Sequence, residues 1–375
     1  MRIFCGVLFA LGVTVALALP AGAGEVLHNG IQLPDVWPPA DRTPTREPME
    51  VPYLQNPPEV IPIDVGRQLF VDDFLIAETT LKRTLYPAEY YPNNPVLGPD
   101  KPWETVVKEG QTPSPTAMPF SDGVWYDPQD KLFKMWYMGG YVKATCYAVS
   151  KDGIHWEKPD LDVVPGTNVV QAVERDSNTV WLDLEEKDAA RRYKMFVYKH
   201  PGPHAMSVFF SADGIQWGDE AAVSGRCGDR TSAFYNPFRQ KWVISVRDYD
   251  SKGIGRFRRY SENADVLKAI VWEESKSPFW IGADTLDPAR ADLNTPCELY
   301  NLDVAAYESL MIGLFSIWRG QPKDRAKPNE LCIGFTRDGF HWSRPTHEPF
   351  IPVSETCGDW NWANIQSAGG CCLVV

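Results

Sequence analysis

Three carboxylates stand at matching points of a repeated pattern: Asp176 in Arg175-Asp-Ser-Asn178, Asp229 in Gly228-Asp-Arg-Thr231, and Glu298 in Pro296-Cys-Glu-Leu299. Each comes just before a run of β-branched and aromatic residues that reads as a strand. Acids delivered to one point from different strands raise one another's pKa and divide into a protonated and an ionised member. That division suits cleavage of a glycosidic bond, which needs a proton donor at the leaving oxygen and a carboxylate as base or nucleophile. Asp122, in Ser121-Asp-Gly123, is the matching acid of the unit before. Arg230 and Asn178 add hydrogen-bonding groups beside the acids, and Asp72-Asp73 is the nearest acidic pair in the first strand-like run, Leu69–Ile76.

The elements that must position these acids repeat. Ser150-Lys-Asp-Gly-Ile-His-Trp156, Ser211-Ala-Asp-Gly-Ile-Gln-Trp217 and Thr336-Arg-Asp-Gly-Phe-His-Trp342 share one pattern. The first two lie about 60 residues apart and the third about twice that further on, with a degenerate copy, Tyr260-Ser-Glu-Asn263, between. Strands without helical periodicity at this spacing imply one four-stranded blade per tag. In each tag, Asp and Gly make a tight turn and the Trp packs between blades. A motif present three times is scaffold, because one active centre does not need three copies. Four full units start near residues 114, 176, 229 and 296, and a fifth would combine Leu69–Ile76 with the segment from Asn364. The expected fold is all-β, a five-bladed β-propeller whose last blade is incomplete at Val375. Function in such a ring sits on its axis, where the innermost strands begin.

Residues 1–23 carry a basic start, an apolar stretch and Ala21-Gly-Ala23, the pattern of a secretory signal peptide. The expectation is export, and no later stretch is long enough to span a membrane. Residues 24–62 are rich in proline and read as an extended arm, which leaves 63–375 as the propeller domain. A net charge of −12 argues against nucleic acid, which needs a basic footprint. Beyond Cys5 the seven cysteines are odd in number and irregularly spaced, so neither a disulfide framework nor a zinc site is expected. The fourteen tryptophans serve blade packing or the stacking of sugar rings.

The unit pattern, the tags and the acids at inner-strand starts resemble the five-bladed propeller glycoside hydrolases of families 43, 32, 68 and 117. In those families two Asp and one Glu from different blades line a central pocket. Pro296-Cys297-Glu298 resembles the region bearing the general acid in family 32, and Gly228-Asp229-Arg230 the region bearing its transition-state stabiliser. The Asn-Asp-Pro-Asn-Gly segment of family 32 is absent. The resemblance implies Glu298 as general acid, Asp229 as the orienting, pKa-setting group and Asp176 as base or nucleophile. It implies Arg230, Asp122, Asp73 and Asn178 as substrate-binding residues, a carbohydrate substrate, and no cofactor or metal. A non-catalytic glycan-binding propeller is the alternative. A sialidase-like hydrolase, with a Tyr nucleophile and three substrate-binding arginines, ranks third.

Overall fold

The computed structural model describes residues 24–110, 112–273 and 276–373; the expected signal peptide lies outside them. Four antiparallel sheets form the body. Blade I holds β1 (Ala117–Asp127), β2 (Leu132–Gly139), β3 (Ala144–Ser150) and β4 (Trp156–Glu157), with β5 (Val169–Gln171) also on β3. Blade II holds β6 (Arg175–Leu182), β7 (Tyr193–Lys199), β8 (Met206–Ser211) and β9 (Ala222–Val223). Blade III holds β10 (Ser232–Asn236), β11 (Lys241–Asp250), β12 (Gly255–Asn263) and β13 (Phe279–Gly282). Blade IV holds β14 (Glu298–Tyr307), β15 (Leu310–Trp318) and β16 (Asn329–Thr336), and antiparallel bridges from Leu331 to Ile351 and from Phe335 to Ser343 mark its fourth position. The first strands begin where the unit alignment puts them.

The second strands are apolar on both faces because each blade is covered on both sides. Trp136, Tyr137 and Met138 are all fully buried in β2, as are Met195, Phe196 and Val197 in β7. Burying such a side chain contributes about 1.5–3 kcal/mol. One continuous core runs from Trp181 and Phe196 of blade II through Trp242 and Trp280 of blade III to Phe315 and Trp342 at blade IV.

The tags do the scaffold work expected of them. Asp152, Asp213 and Asp338 each accept two backbone N–H bonds from the residues two and three positions on. The second and third tags also anchor a neighbour. The Trp136 indole of blade I donates to the Gly214 carbonyl of the second tag at 2.8 Å, and Trp280 of blade III donates to Phe340 of the third at 2.7 Å. Gly214 has φ +78°, and a Cβ there would lie 2.5 Å from the Trp136 ring, so neither the turn nor the contact admits a side chain.

The blade count is a correction: four blades form among the described residues, not five, and the one further sheet is a two-stranded ladder of Thr105–Val106 with Ser114–Pro115. Leu69–Ile76 makes no ladder. Asp72 is buried in a fork-to-fork pair with Arg337 of the third tag at 2.9–3.0 Å, and Phe74 packs with Tyr53, Leu27, Ile31 and Leu33 of the arm. The segment from Asn364 lies along β1 instead, through Ser121 N–H to Ser367 and Val124 N–H to Gly369. The ring closes at its axis without a fifth blade, because the Ser121 hydroxyl of blade I donates to Asp303 of blade IV at 2.9 Å. Outside that contact a cavity of 740 Å³ separates the two blades, walled by Met118, Tyr141, Leu331 and Ile351. Residues 24–62 wrap the tag end as an arm: the Tyr53 hydroxyl donates to the His341 carbonyl, and Met49 and Asn29 also bond there. All seven described cysteines are free. No helix among the described residues is long and apolar enough to cross a membrane.

Candidate active site

Antiparallel register fixes which loops meet. Thr336 pairs with Met311, which pairs with Ala306, whereas Glu298 pairs with Trp318, which pairs with Asn329. Glu298 and the tag therefore occupy opposite ends of a ten-residue strand, roughly 30 Å apart. The starts of β6, β10 and β14 share the end away from the tags with the hairpins that follow the second strands. Three inner strands are irregular there, between Met118 and Gly123, between Arg175 and Asn178, and between Leu299 and Asn301. Such bulges re-aim side chains that a regular strand would bury or expose in alternation.

Asp176 sits in the second of these irregularities, half-buried, and no side chain among the described residues donates a hydrogen bond to its carboxylate. Burial pushes its carboxyl up, and the neighbouring Asp229 carboxylate pushes it further. Asp229 is 41% exposed on its side chain, with the Arg247 Nε 3.8 Å away. Its backbone carbonyl accepts from the Ser177 hydroxyl, which ties blade II to blade III. Tyr141, on the hairpin after β2, is pushed up by burial and then by Asp176, Tyr300 and Asp229. Tyr198, at the end of β7, is pushed up to about 12 by burial and then by Asp229. Asp176 and Asp229 therefore feel one another's charge, and both act on Tyr141 and Tyr198.

Glu298 closes the same end from blade IV. Its carboxylate is ion-paired with Arg256 and also accepts that residue's N–H at 3.2 Å. The Arg256 guanidinium lies over the Tyr300 and Trp318 rings at 5.2 and 5.3 Å, and Lys327 donates to the Tyr300 hydroxyl at 2.7 Å. Glu298 is thus a committed carboxylate on an aromatic wall.

The remaining residues read from the sequence have other positions. Asp122 is fully buried, forked to Arg175 at 2.6 and 3.2 Å and bonded to the Phe120 N–H at 2.8 Å. It joins blade I to blade II and presents nothing to a ligand. Asn178 is buried and donates to the Thr145 hydroxyl at 3.2 Å. Arg230 is buried over the Phe120 ring at 3.7 Å and donates to Phe120, Ser121 and Gln366, so it is a hub of the axis rather than an open hydrogen-bonding arm. Asp73 is a correction: it pairs with Arg83 at 2.6 Å on the surface, next to the Asp72 contact with the third tag, at the wrong end of the molecule.

Sequence reasoning missed Tyr141, Tyr198, Tyr300, Arg247, Arg256 and the buried Asp303. The signal was present, since hairpins after second strands must return to the end where first strands begin. Elsewhere, Asp284, Asp287 and His347 have ligand atoms close enough for a metal ion. There Arg344 forks onto Asp287 at 2.6 and 2.9 Å and His347 bonds Asp284 at 3.0 Å, so the acids already have partners.

No protein-family model and no curated protein matches this chain. Among solved structures it is similar to a thermostable family-43 glycoside hydrolase, at 11% identity over 64% of this chain and 75% of the other, with a TM-score of 0.45. It is similar to an endo-1,4-beta-xylanase from Bacteroides thetaiotaomicron, at 12% identity over 64% of this chain and 76% of that one, TM-score 0.45. An endo-arabinase from the same organism aligns at 12% identity over 64% of this chain and 82% of its own, TM-score 0.42. All three are distant from this chain, at 11–12% identity and TM-scores of 0.42–0.45.

Proposed function

We propose that this chain is a glycoside hydrolase acting on a poly- or oligosaccharide, with its centre at the axial end of blades II to IV. The observation that carries the reading is Asp176, a desolvated carboxyl pushed up beside a second carboxylate, Asp229, with Tyr141 under the influence of both. A carboxyl in that state is suited to hold a proton and deliver it to a glycosidic oxygen. Glu298, paired with Arg256, is suited to the carboxylate role. The roles first given to Glu298 and Asp176 are therefore exchanged: Asp176 is the proton donor, Asp229 the charge that sets it, and Glu298 the base or nucleophile. Tyr141, exposed at the rim, offers a ring for sugar stacking. Export by the leader in residues 1–23 belongs to the same proposal.

A non-catalytic glycan-binding propeller uses the same aromatic rim but gives no reason for an unbonded, desolvated carboxyl. The sialidase reading is disfavoured, since a Tyr nucleophile needs its hydroxyl made more acidic, and Tyr141 and Tyr198 are both pushed the other way. Leaving-group dependence tests the assignment. Asp176→Asn should lose far more activity on a natural glycan than on an aryl glycoside with a good leaving group, which needs little proton assistance. Equal losses on both would remove Asp176 from the donor role.

A further inference from the structure

A second cavity, of 440 Å³, lies against Gly228 and Arg247, the chain neighbour and the ion-pair partner of Asp229, a size typical of small-ligand sites. Its walls carry the cations Arg226, Arg247 and Arg259 with His204 and Trp272, and the acids Asp248 and Asp250. Arg259 is committed, to Asp248 at 2.5 Å and the Ser277 carbonyl at 3.0 Å. Arg247 is different. Its Nε is buried without a hydrogen-bond partner, as are those of Arg175, Arg230, Arg258 and Arg344, but those four bond through their terminal nitrogens, whereas the Arg247 guanidinium makes no hydrogen bond among the described residues and only an ion pair with Asp229 at 3.8 Å. Buried polar groups are normally bonded, so a guanidinium left in this state awaits an acceptor.

The position is built rather than incidental. The Arg247 side chain lies flat on Gly228, where a Cβ would come 2.1 Å from its Cδ and 2.4 Å from a terminal nitrogen. The Gly228 N–H bonds the Arg247 carbonyl at 2.9 Å. Behind it, the buried Arg258 adds positive field, while Asp248 and Asp250 line the cavity and Asp229 lies 3.8 Å from Arg247. Three neighbouring acids disfavour a dianion such as a phosphate monoester and leave a single negative charge as the fitting ligand. A planar guanidinium fork matches a planar carboxylate best.

We propose that this cavity is a subsite for the carboxylate of a uronosyl residue, with Arg247 as the group that pairs with it, so that the substrate is an acidic glycan. The inference rests on the reading of the axial end as a glycan site. Its test is binding, which separates it from catalysis. The full chain is titrated calorimetrically with tri-galacturonate, with the same trisaccharide after reduction of its carboxyls to alcohols, with a sulfated neutral trisaccharide, and with inorganic phosphate. The uronide should bind about 10- to 100-fold more tightly than its reduced form, the worth of one charge-assisted pair. That preference should vanish in Arg247→Gln and be partly kept in Arg247→Lys, which retains charge without the fork. Equal affinity of the wild-type chain for the uronide and its reduced form overturns the proposal without any variant. So does a preference that survives Arg247→Gln, or tighter binding of sulfated sugar or phosphate than of the uronide. A uronide preference without hydrolysis of any glycan would keep the subsite and refute the catalytic reading. Hydrolysis of neutral glycans alone, with no preference, would do the reverse.

Discussion

Asp127 carries the most demanding structural prediction, because one carboxylate there holds two blades together. It lies in the first hairpin of blade I with no exposed side-chain surface. It accepts from Lys134 at 2.7 Å, from Arg192 of blade II at 2.6 and 3.0 Å, and from the Tyr193 hydroxyl of the same blade. Burial alone would push this carboxyl up; the bonds from Arg192, Lys134 and Tyr193 outweigh it and hold it well below the usual range. Blade II repeats the device with Asp183 and Lys194 at 2.9 Å. In blade III the matching positions are Asn236 and Val243, so acid and lysine are absent together. Removing one member of a buried pair strands the other charge at about 3–5 kcal/mol, whereas replacing both with well-packed neutral groups is often tolerated. Lys134 keeps a half-exposed partner in Asp130, so Asp127→Asn should cost about 3 kcal/mol, the lower end of that range. Asp127→Asn with Lys134→Met, which copies the chemistry of blade III, should recover at least about 1 kcal/mol of that loss. Urea unfolding at pH 7 with an unchanged m-value reads both numbers. A cost below about 1 kcal/mol for the single variant, or a double variant less stable than the single, would refute the reasoning. The wild-type contribution is complete above the ordinary aspartate value of 3.8 and is lost as the pH falls through and below it.

Three other outcomes follow from the same geometry. Gly214→Ala forces a Cβ onto Trp136 at a positive φ and should cost at least about 1–3 kcal/mol in thermal or urea unfolding. Asp72→Asn breaks the fork with Arg337 and leaves that guanidinium buried, so brief proteolysis should cut within residues 24–76 faster than in wild type while the blades stay resistant. Asp229→Asn removes the like charge beside Asp176, so the donor's pKa falls and the alkaline limb of the activity profile moves to lower pH; an unmoved limb would separate the two acids.

Much of the scaffold could be read from local chemistry. The Asp-Gly turns of the tags are short-range devices, and the apolar runs from Leu132, Tyr193 and Lys241 declare strands by composition alone. Tag register then gave the starts of the inner strands, and with them Asp176, Asp229 and Glu298. What could not be read depends on partners far away in the chain. Asp122 looks like its homologous acids until Arg175, 53 residues on, is seen to fork onto it. Leu69–Ile76 has the residues of a strand, yet Asp72 and Phe74 are claimed by Arg337 and Tyr53, and no sequence pattern records that competition. The same holds for the blade count, since Ser121 meeting Asp303 and Asn301 closes the axis through hydrogen bonds between residues 182 and 180 apart. Tyr141 and Arg247 were within reach, because hairpin geometry sends them to the acid end.

The central claim is that Asp176 delivers a proton to a glycosidic bond. The most direct measurement is release of new reducing ends from a panel of neutral and acidic glycans by the full chain and by Asp176→Asn, purified and shown to have equal unfolding midpoints. The account predicts hydrolysis of at least one glycan by the wild-type chain and a fall of about 10²- to 10⁴-fold in the variant. Undiminished hydrolysis by Asp176→Asn, or glycan binding by the wild-type chain with no cleavage anywhere on the panel, would contradict it.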